Sequence, residues 1–452
     1  MKFNGKIKRK KHLSASQSII LGFALLILAG TFILMLPVSS ASHSFTSFYD
    51  ALFTATSAAC VTGLVVHDTA TYWSVFGQAV ILVLIQIGGM GVITVAVFLM
   101  RISGKKIGIL QRATMQEAIA APQIGGMVEL TGFIIKTSLV IETAGAALLM
   151  PVFIKNFGVG KGIWYSVFHS VSAFCNAGFD LMGIRQQFSS LTSFCNNYYV
   201  SIVIALLIII GGIGFLTWDD IRKNGLHVKR YKMQSKVVFA VTAVLLVLPF
   251  IYFLFVEFSK GAFADMSVLE KINAAAFQAV TPRTAGFNSV DLNMFTESGK
   301  FLMIILMLIG GSSGSTAGGM KVTTVGVLYA ATASVFKKKT NLQLFKRRIG
   351  NETVKVALSI LVMYISLFTF GGVFISLIEN LPLVTCLFES ASAVGTVGLT
   401  LGITTSLSKI SGTILICLMF LGRVGGLTLI YAALLKKNTS DAVYPVEKIM
   451  IG

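Results

Sequence analysis

Eight runs of 19 to 26 residues carry almost no charge: 17–36, 75–100, 128–153, 198–218, 237–256, 301–319, 356–378 and 410–435. A helix needs about 20 apolar residues to cross a bilayer, so the sequence predicts eight spans. The charged exceptions inside them are Glu129, Lys136, Glu142 and Arg423. Of the 452 residues only 12% are charged and 55% are hydrophobic. A soluble domain usually carries about 25% charge to face water. The expected fold class is an all-α polytopic membrane protein.

Four shorter apolar segments, 48–59, 164–174, 268–280 and 383–393, are too short to cross. Segments of about 10–14 residues re-enter the membrane or lie at its interface. Each falls between the two long runs of a pair, so the order helix, short segment, helix occurs four times. The predicted organisation is a basic N-terminus (1–16) and four repeats, at 17–112, 113–235, 236–348 and 349–452. The last includes the C-terminal tail.

Charge sets the orientation. Of 37 Lys and Arg, 25 lie at the N-terminus (Lys2 to Lys11), in the connections 101–112, 222–236 and 337–348, and in the tail (Lys436, Lys437, Lys448). By the positive-inside rule both termini are cytoplasmic, and the short segments dip into the cell membrane from outside. This distribution accounts for the net charge of +19 without nucleic acid. The N-terminal start resembles a signal peptide, but the apolar core of a signal is about 7–15 residues. The longer run here reads as a retained helix. Five scattered cysteines and five histidines lack disulfide or metal-ligand spacing.

A glycine follows each short segment in a similar setting. The loops read Val61-Thr62-Gly63, Asn176-Ala177-Gly178, Thr284-Ala285-Gly286 and Thr396-Val397-Gly398, with the glycines 115, 108 and 112 residues apart. A second glycine cluster follows 25, 33, 24 and 24 residues later, at Gly88, Gly211, Gly310 and Gly422. A dehydrated cation needs oxygen ligands within the bilayer, and backbone carbonyls of converging loops supply them. Non-helical backbone at that depth is tolerated only inside protein or beside a water-filled cavity. The twelve loop residues are therefore candidate ligands of a cation. Asp68, Asp180 and Asp291, just beyond the loops, are candidates for attracting cations to the outer mouth. For the second clusters, close helix packing is the competing explanation.

In the third repeat the cluster expands to Gly310-Gly311-Ser312-Ser313-Gly314-Ser315-Thr316-Ala317-Gly318-Gly319. Such a stretch does not sustain a helix, since glycine costs about 1 kcal/mol per position relative to alanine. It reads as an intramembrane loop just below the candidate ligands. Arg423, in the aligned place of the fourth repeat, is expected to face the cavity, repel cations and meet this loop. The alternative is an ion pair with Glu389 or Glu142. Lys321 is expected to snorkel to the cytoplasmic face.

At these residues the chain resembles the TrkH/KtrB/HKT superfamily of potassium transporters, and within it the bacterial KtrB/KtrD membrane subunits. The phrases that carry the likeness are Phe277-Gln278-Ala279-Val280-Thr281-Pro282-Arg283-Thr284-Ala285-Gly286-Phe287-Asn288 and Gly395-Thr396-Val397-Gly398-Leu399. The resemblance implies four helix–pore-loop–helix repeats, with eight transmembrane and four re-entrant helices around one pore. It implies potassium as the transported ion, one filter glycine per repeat (Gly63, Gly178, Gly286, Gly398), and gating by the 310–319 loop. It also implies a homodimer and a cytoplasmic Rossmann-like regulatory ring of the KtrA/KtrC type. That ring would bind adenine nucleotide on the partner and not on this chain. Three of the four loops depart from Thr-Val-Gly, so fewer ordered carbonyl layers are expected. A sodium-permeable or sodium-coupled transporter of the same architecture is the alternative. No GxSxG, HExxH or P-loop motif points to an enzyme.

Overall fold

In a computed structural model, the structure describes residues 14–104, 107–119, 125–259, 261–339, 341–426 and 428. Most of the basic N-terminus, Lys105, Lys106 and the C-terminal tail lie outside them. Helices dominate, and the only strands among the described residues form one short antiparallel hairpin, β1 (Gln343–Leu344) with β2 (Arg347–Arg348).

Four helices are long and apolar enough to cross a membrane. These are α1 (Ala15–Met35), α7 (Met127–Phe157), α11 (Met233–Tyr252, extended by a π turn to Glu257) and α15 (Asn351–Glu379). Each is followed by a short helix: α2 (Phe48–Ala59), α8 (Val159–Phe174), α12 (Val268–Val280) and α16 (Leu383–Gly395). After each short helix the chain enters another apolar helix, α4 (Val75–Met90), α9 (Tyr198–Gly212), α13 (Glu297–Leu308) and α17 (Lys409–Val424), while the connections of the first repeat hold the single turn α3 (Thr69–Tyr72) and α6 (Ile109–Ile119).

These second helices begin at polar caps, Ser74, Asn197, Thr296 and Ser408, whose side chains accept from backbone N–H groups of the first turn. In the last two repeats the preceding long helix reaches the same cap. Glu257 accepts from the Thr296 N–H at 3.1 Å, and Glu379 accepts from the Ser408 N–H at 3.0 Å.

None of the second helices runs straight through, which corrects the reading of the runs at 75–100 and 198–218 as unbroken spans. α4 turns by 96° into α5 (Val92–Ile102), and α9 turns by 92° into α10 (Phe215–Asn224). The turns fall at Gly91 (φ 88°) and Gly214 (φ 92°), a backbone region that glycine enters without steric cost. α17 ends at Gly425 (φ 89°). The run at 301–319 divides into α13, a non-helical stretch, and α14 (Val322–Phe336). The run at 410–435 continues past the described residues.

The repeats meet in cyclic order. α4 packs on α8, α9 on α12, α13 on α16, and α17 returns to α2. The second helix of each repeat thus supports the short helix of the next. The largest buried cluster, which includes Phe53, Phe168, Phe174 and Phe277, joins the repeats at this level.

Candidate functional site

The four loops occupy the centre of this ring. A methyl group built on Gly63 would lie 3.2 Å from Gly178 Cα, and one on Gly178 would lie 3.0 Å from Gly286 Cα. One on Gly286 would lie 3.2 Å from Gly398 Cα, and one on Gly398 would lie 3.0 Å from Gly63 Cα. The circle closes. In the same order each methyl would press on the carbonyl oxygen of Ala177, Ala285, Val397 or Thr62. All twelve loop residues flagged by sequence are brought together here.

The backbone repeats too. Two residues before each glycine, Val61, Asn176, Thr284 and Thr396 have φ of 59°, 59°, 62° and 52°. The glycines follow at 94°, 69°, 76° and 92°, with a residue of negative φ between. Three of the four non-glycine positions are β-branched, for which positive φ is a true outlier. Strain of this kind costs about 1–3 kcal/mol per residue and collects at functional sites.

A hydroxyl frame holds each loop, and the sequence reading missed it. Thr62, Ala177 and Val397 each donate an N–H to the carbonyl of Ser57, Ser172 or Ser392, all at 2.8 Å. In the third repeat Ala285 donates to Thr281 at 3.0 Å. The hydroxyls then fix the glycine end. Ser57 and Ser392 accept from the Gly63 and Gly398 N–H groups at 3.1 and 3.0 Å. Ser172 and Thr281 donate to the carbonyls of Phe179 and Phe287 at 2.7 and 2.6 Å. The signal was available as a serine six residues before three of the glycines. The hydroxyls of Thr62, Thr284 and Thr396 are buried and have no hydrogen-bond partner among the described residues, which leaves their oxygens free for another ligand.

The short helices α2, α8, α12 and α16 end immediately before the loops, so their negative dipole ends point at the ring. The second-cluster glycines serve packing. A side chain at Gly88, Gly211 or Gly422 would strike the carbonyl of Ala59, Phe174 or Val394, the last turns of α2, α8 and α16.

One end of the ring is covered by the 310–319 stretch. Thr316 Oγ1 lies 3.0 Å from Asn176 Oδ1 and 3.1 Å from the Phe174 carbonyl. Methyl groups at Gly310 and Gly318 would lie 3.2 Å from Thr284 Cγ2 and 3.0 Å from Thr396 Cβ. Three basic side chains hold carbonyls of this stretch. Arg423 donates to Thr316, and also to Gly88 and Gly89 (3.0 Å for Gly89) on α4. Lys321 curls back to Ala317 and Gly318 at 2.7 and 3.1 Å, rather than snorkelling outward. Arg283 lies 3.5 Å from the Gly310 carbonyl. The ion pairs considered for Arg423 do not form: Glu389 accepts from Thr400 and Thr404, and Glu142 from Gln86. A cavity of about 170 Å³ adjoins the stretch, lined by Gly89, Ser315, Lys321 and Arg423 among others.

The three aspartates beyond the loops serve the fold. Asp68 is 7% exposed, and its carboxylate accepts from Ala70, Thr71 and Phe188, tying the first outer loop to the second. Asp291 caps the turn at Leu292–Met294. Burial pushes the Asp180 carboxyl up to about 7, and Asp68 adds in the same direction, so at neutral pH it is a weak lure for cations. Replacing Asp68 with alanine is expected to cost about 2–4 kcal/mol, from a lost cap and the lost bond of the Phe188 N–H to a charged acceptor. A fall in the thermal midpoint in detergent measures it.

Residues 8–442 match the family described as TrkH, cation transport protein. The chain is 42% identical to the potassium/sodium uptake protein NtpJ of Enterococcus hirae, with 99% of each chain covered. It is 38% identical to the Ktr system potassium uptake protein B of Bacillus subtilis, with 96% of each covered. Its fold is similar to the crystal structure of the potassium transporter TrkH from Vibrio parahaemolyticus. The TM-score is 0.73 at 20% identity, covering 95% of this chain and 86% of that one. With a family match over nearly its whole length and relatives of this identity, the chain belongs to the TrkH family of cation transport proteins.

Proposed function

We propose that the chain carries potassium into the cell through a selectivity filter made by its four loops. In this reading the four repeats supply eight transmembrane helices and four re-entrant pore helices, with both termini cytoplasmic. The observation that carries it is the closed circle of Gly63, Gly178, Gly286 and Gly398. Carbonyls of Thr62, Ala177, Ala285 and Val397, with those of Val61, Asn176, Thr284 and Thr396, replace the hydration shell of the ion. The helix ends behind them offset its charge. The potassium uptake in the names of the Enterococcus and Bacillus proteins supports the choice of ion.

The 310–319 stretch is the gate in this reading, held closed by Arg423 and released into the adjoining cavity. Control comes from a cytoplasmic ring of Rossmann-like subunits of the KtrA/KtrC type that bind adenine nucleotide, acting on a homodimer of this chain. The Ktr-system name of the Bacillus relative supports such a partner.

A second reading, a sodium-permeable or sodium-coupled pathway of the same architecture, draws on the potassium/sodium name of the Enterococcus protein. Expression in a bacterium lacking potassium uptake, at graded potassium, tests both. Growth at low potassium supports the first reading, with sodium a poor competitor. Equal competition by sodium favours the second. No growth with any regulatory partner contradicts both.

A further inference from the structure

Outside the ring, an open groove of about 860 Å³ runs along the first helix of the second repeat, between α7, α5 and α10. Three cations line it, Arg101, Lys136 and Arg222, against one carboxylate, Glu129. Arg222 is paired with Asp219 at 2.9 Å, and its guanidinium lies 4.3 Å from the Phe133 ring. Arg101 donates to the Val128 carbonyl at 3.3 Å and lies over Gly132, where an added methyl would come within 2.5 Å of it. Lys136 is exposed and has no hydrogen-bond or ion-pair partner among the described residues. Glu129 is two turns away on the same helix, about 10 Å along its axis.

The surroundings make this arrangement costly unless an anion completes it. Val140, in the groove, is 60% exposed, and Leu139 and Leu99 beside it are 53% and 58% exposed. This is a surface for acyl chains rather than water. Lys136 stands nine residues beyond the start of α7, about 14 Å into the helix, where an unpaired ammonium is disfavoured. Arg101 and Arg222 fall in the last turns of α5 and α10, at the end where the basic connections gather. The groove is therefore cationic at its rim and apolar along its wall. A phospholipid with an anionic headgroup has the complementary layout.

We propose that this groove binds an anionic phospholipid, its phosphate held among Arg101, Lys136 and Arg222 and an acyl chain lying along Phe133 and Val140. The lipid bridges the bent second helix of the first repeat to the helices of the second. The site is independent of the ion pathway.

Native mass spectrometry of the full-length protein, titrated with phosphatidylglycerol, with phosphatidylcholine of the same chains and with inorganic phosphate, tests it. Phosphatidylglycerol is expected to be retained, while phosphatidylcholine and phosphate are not. Lys136→Gln and Arg101→Gln are each expected to weaken phosphatidylglycerol about five-fold. Gly132→Leu, which displaces Arg101 without removing charge, should weaken it too. Lys300→Gln, a cation outside the groove, should change nothing. Thermal midpoints in phosphatidylcholine identify any variant that misfolds, and the remaining variants decide. Equal retention of the two lipids, or undiminished binding in the Lys136→Gln/Arg101→Gln double variant, overturns the proposal. Retention of phosphate alone would make this a free-ion site and overturn it as well. So would efficient copy-to-copy crosslinking through a cysteine at Thr137, which would assign the groove to a second copy of the chain.

Discussion

Replacing Gly286 with alanine is expected to lower the apparent affinity for potassium about 100-fold and to erode discrimination against sodium. The methyl would strike the Val397 carbonyl and stand 3.2 Å from both Gly178 and Gly398 Cα, with φ at 76° adding strain. Neither neighbour is the end of a flexible side chain, so the backbone of the next loop must move. A displaced carbonyl forfeits a contact with a charged ligand worth about 1.5–3 kcal/mol, and about 2.8 kcal/mol is 100-fold in affinity. Potassium uptake in proteoliposomes with sodium as competitor measures both effects. The same substitution at Gly160, away from the ring and with nothing within 4 Å of an added methyl, should leave them alone. An unchanged affinity at Gly286→Ala would remove this loop from the pathway.

Arg423→Ala is expected to raise flux in the absence of any regulatory subunit at least about ten-fold. The guanidinium bridges two repeats, with the Thr316 carbonyl of the third on one side and those of Gly88 and Gly89 of the first on the other. Loss of even one charge-assisted bond at about 1.5 kcal/mol shifts a closed-to-open equilibrium about ten-fold. Removing a cation from the cavity acts in the same direction. Arg423→Lys should fall between the two, because an ammonium lacks the fork that reaches both sides. Unchanged flux together with an unchanged nucleotide response would count against Arg423 as part of the gate.

Much of this arrangement was legible in the sequence because it repeats. Four glycines at near-constant spacing marked the ring, and ten helix-poor residues marked the stretch that covers it. What escaped was direction. Hydropathy reports how far an apolar run extends but not where it turns, so the right-angled bends at Gly91 and Gly214 read as continuous spans. The glycines at 88 and 211 let the short helices approach, as the packing explanation had it. Asp68 read as a candidate for attracting cations to the outer mouth, although its geometry makes it a clamp between two outer loops. The serines at 57, 172 and 392 lay in plain view. Their meaning depends on a loop conformation with left-handed residues that no propensity scale assigns to valine or threonine.

In the proposed function, backbone oxygens from all four loops surround one dehydrated cation. Crystals grown in rubidium and measured at its absorption edge locate such a cation. An anomalous peak is expected on the common axis, ringed by carbonyls of Thr62, Ala177, Ala285 and Val397. Ordered rubidium elsewhere in the protein, with that axis empty, would contradict it.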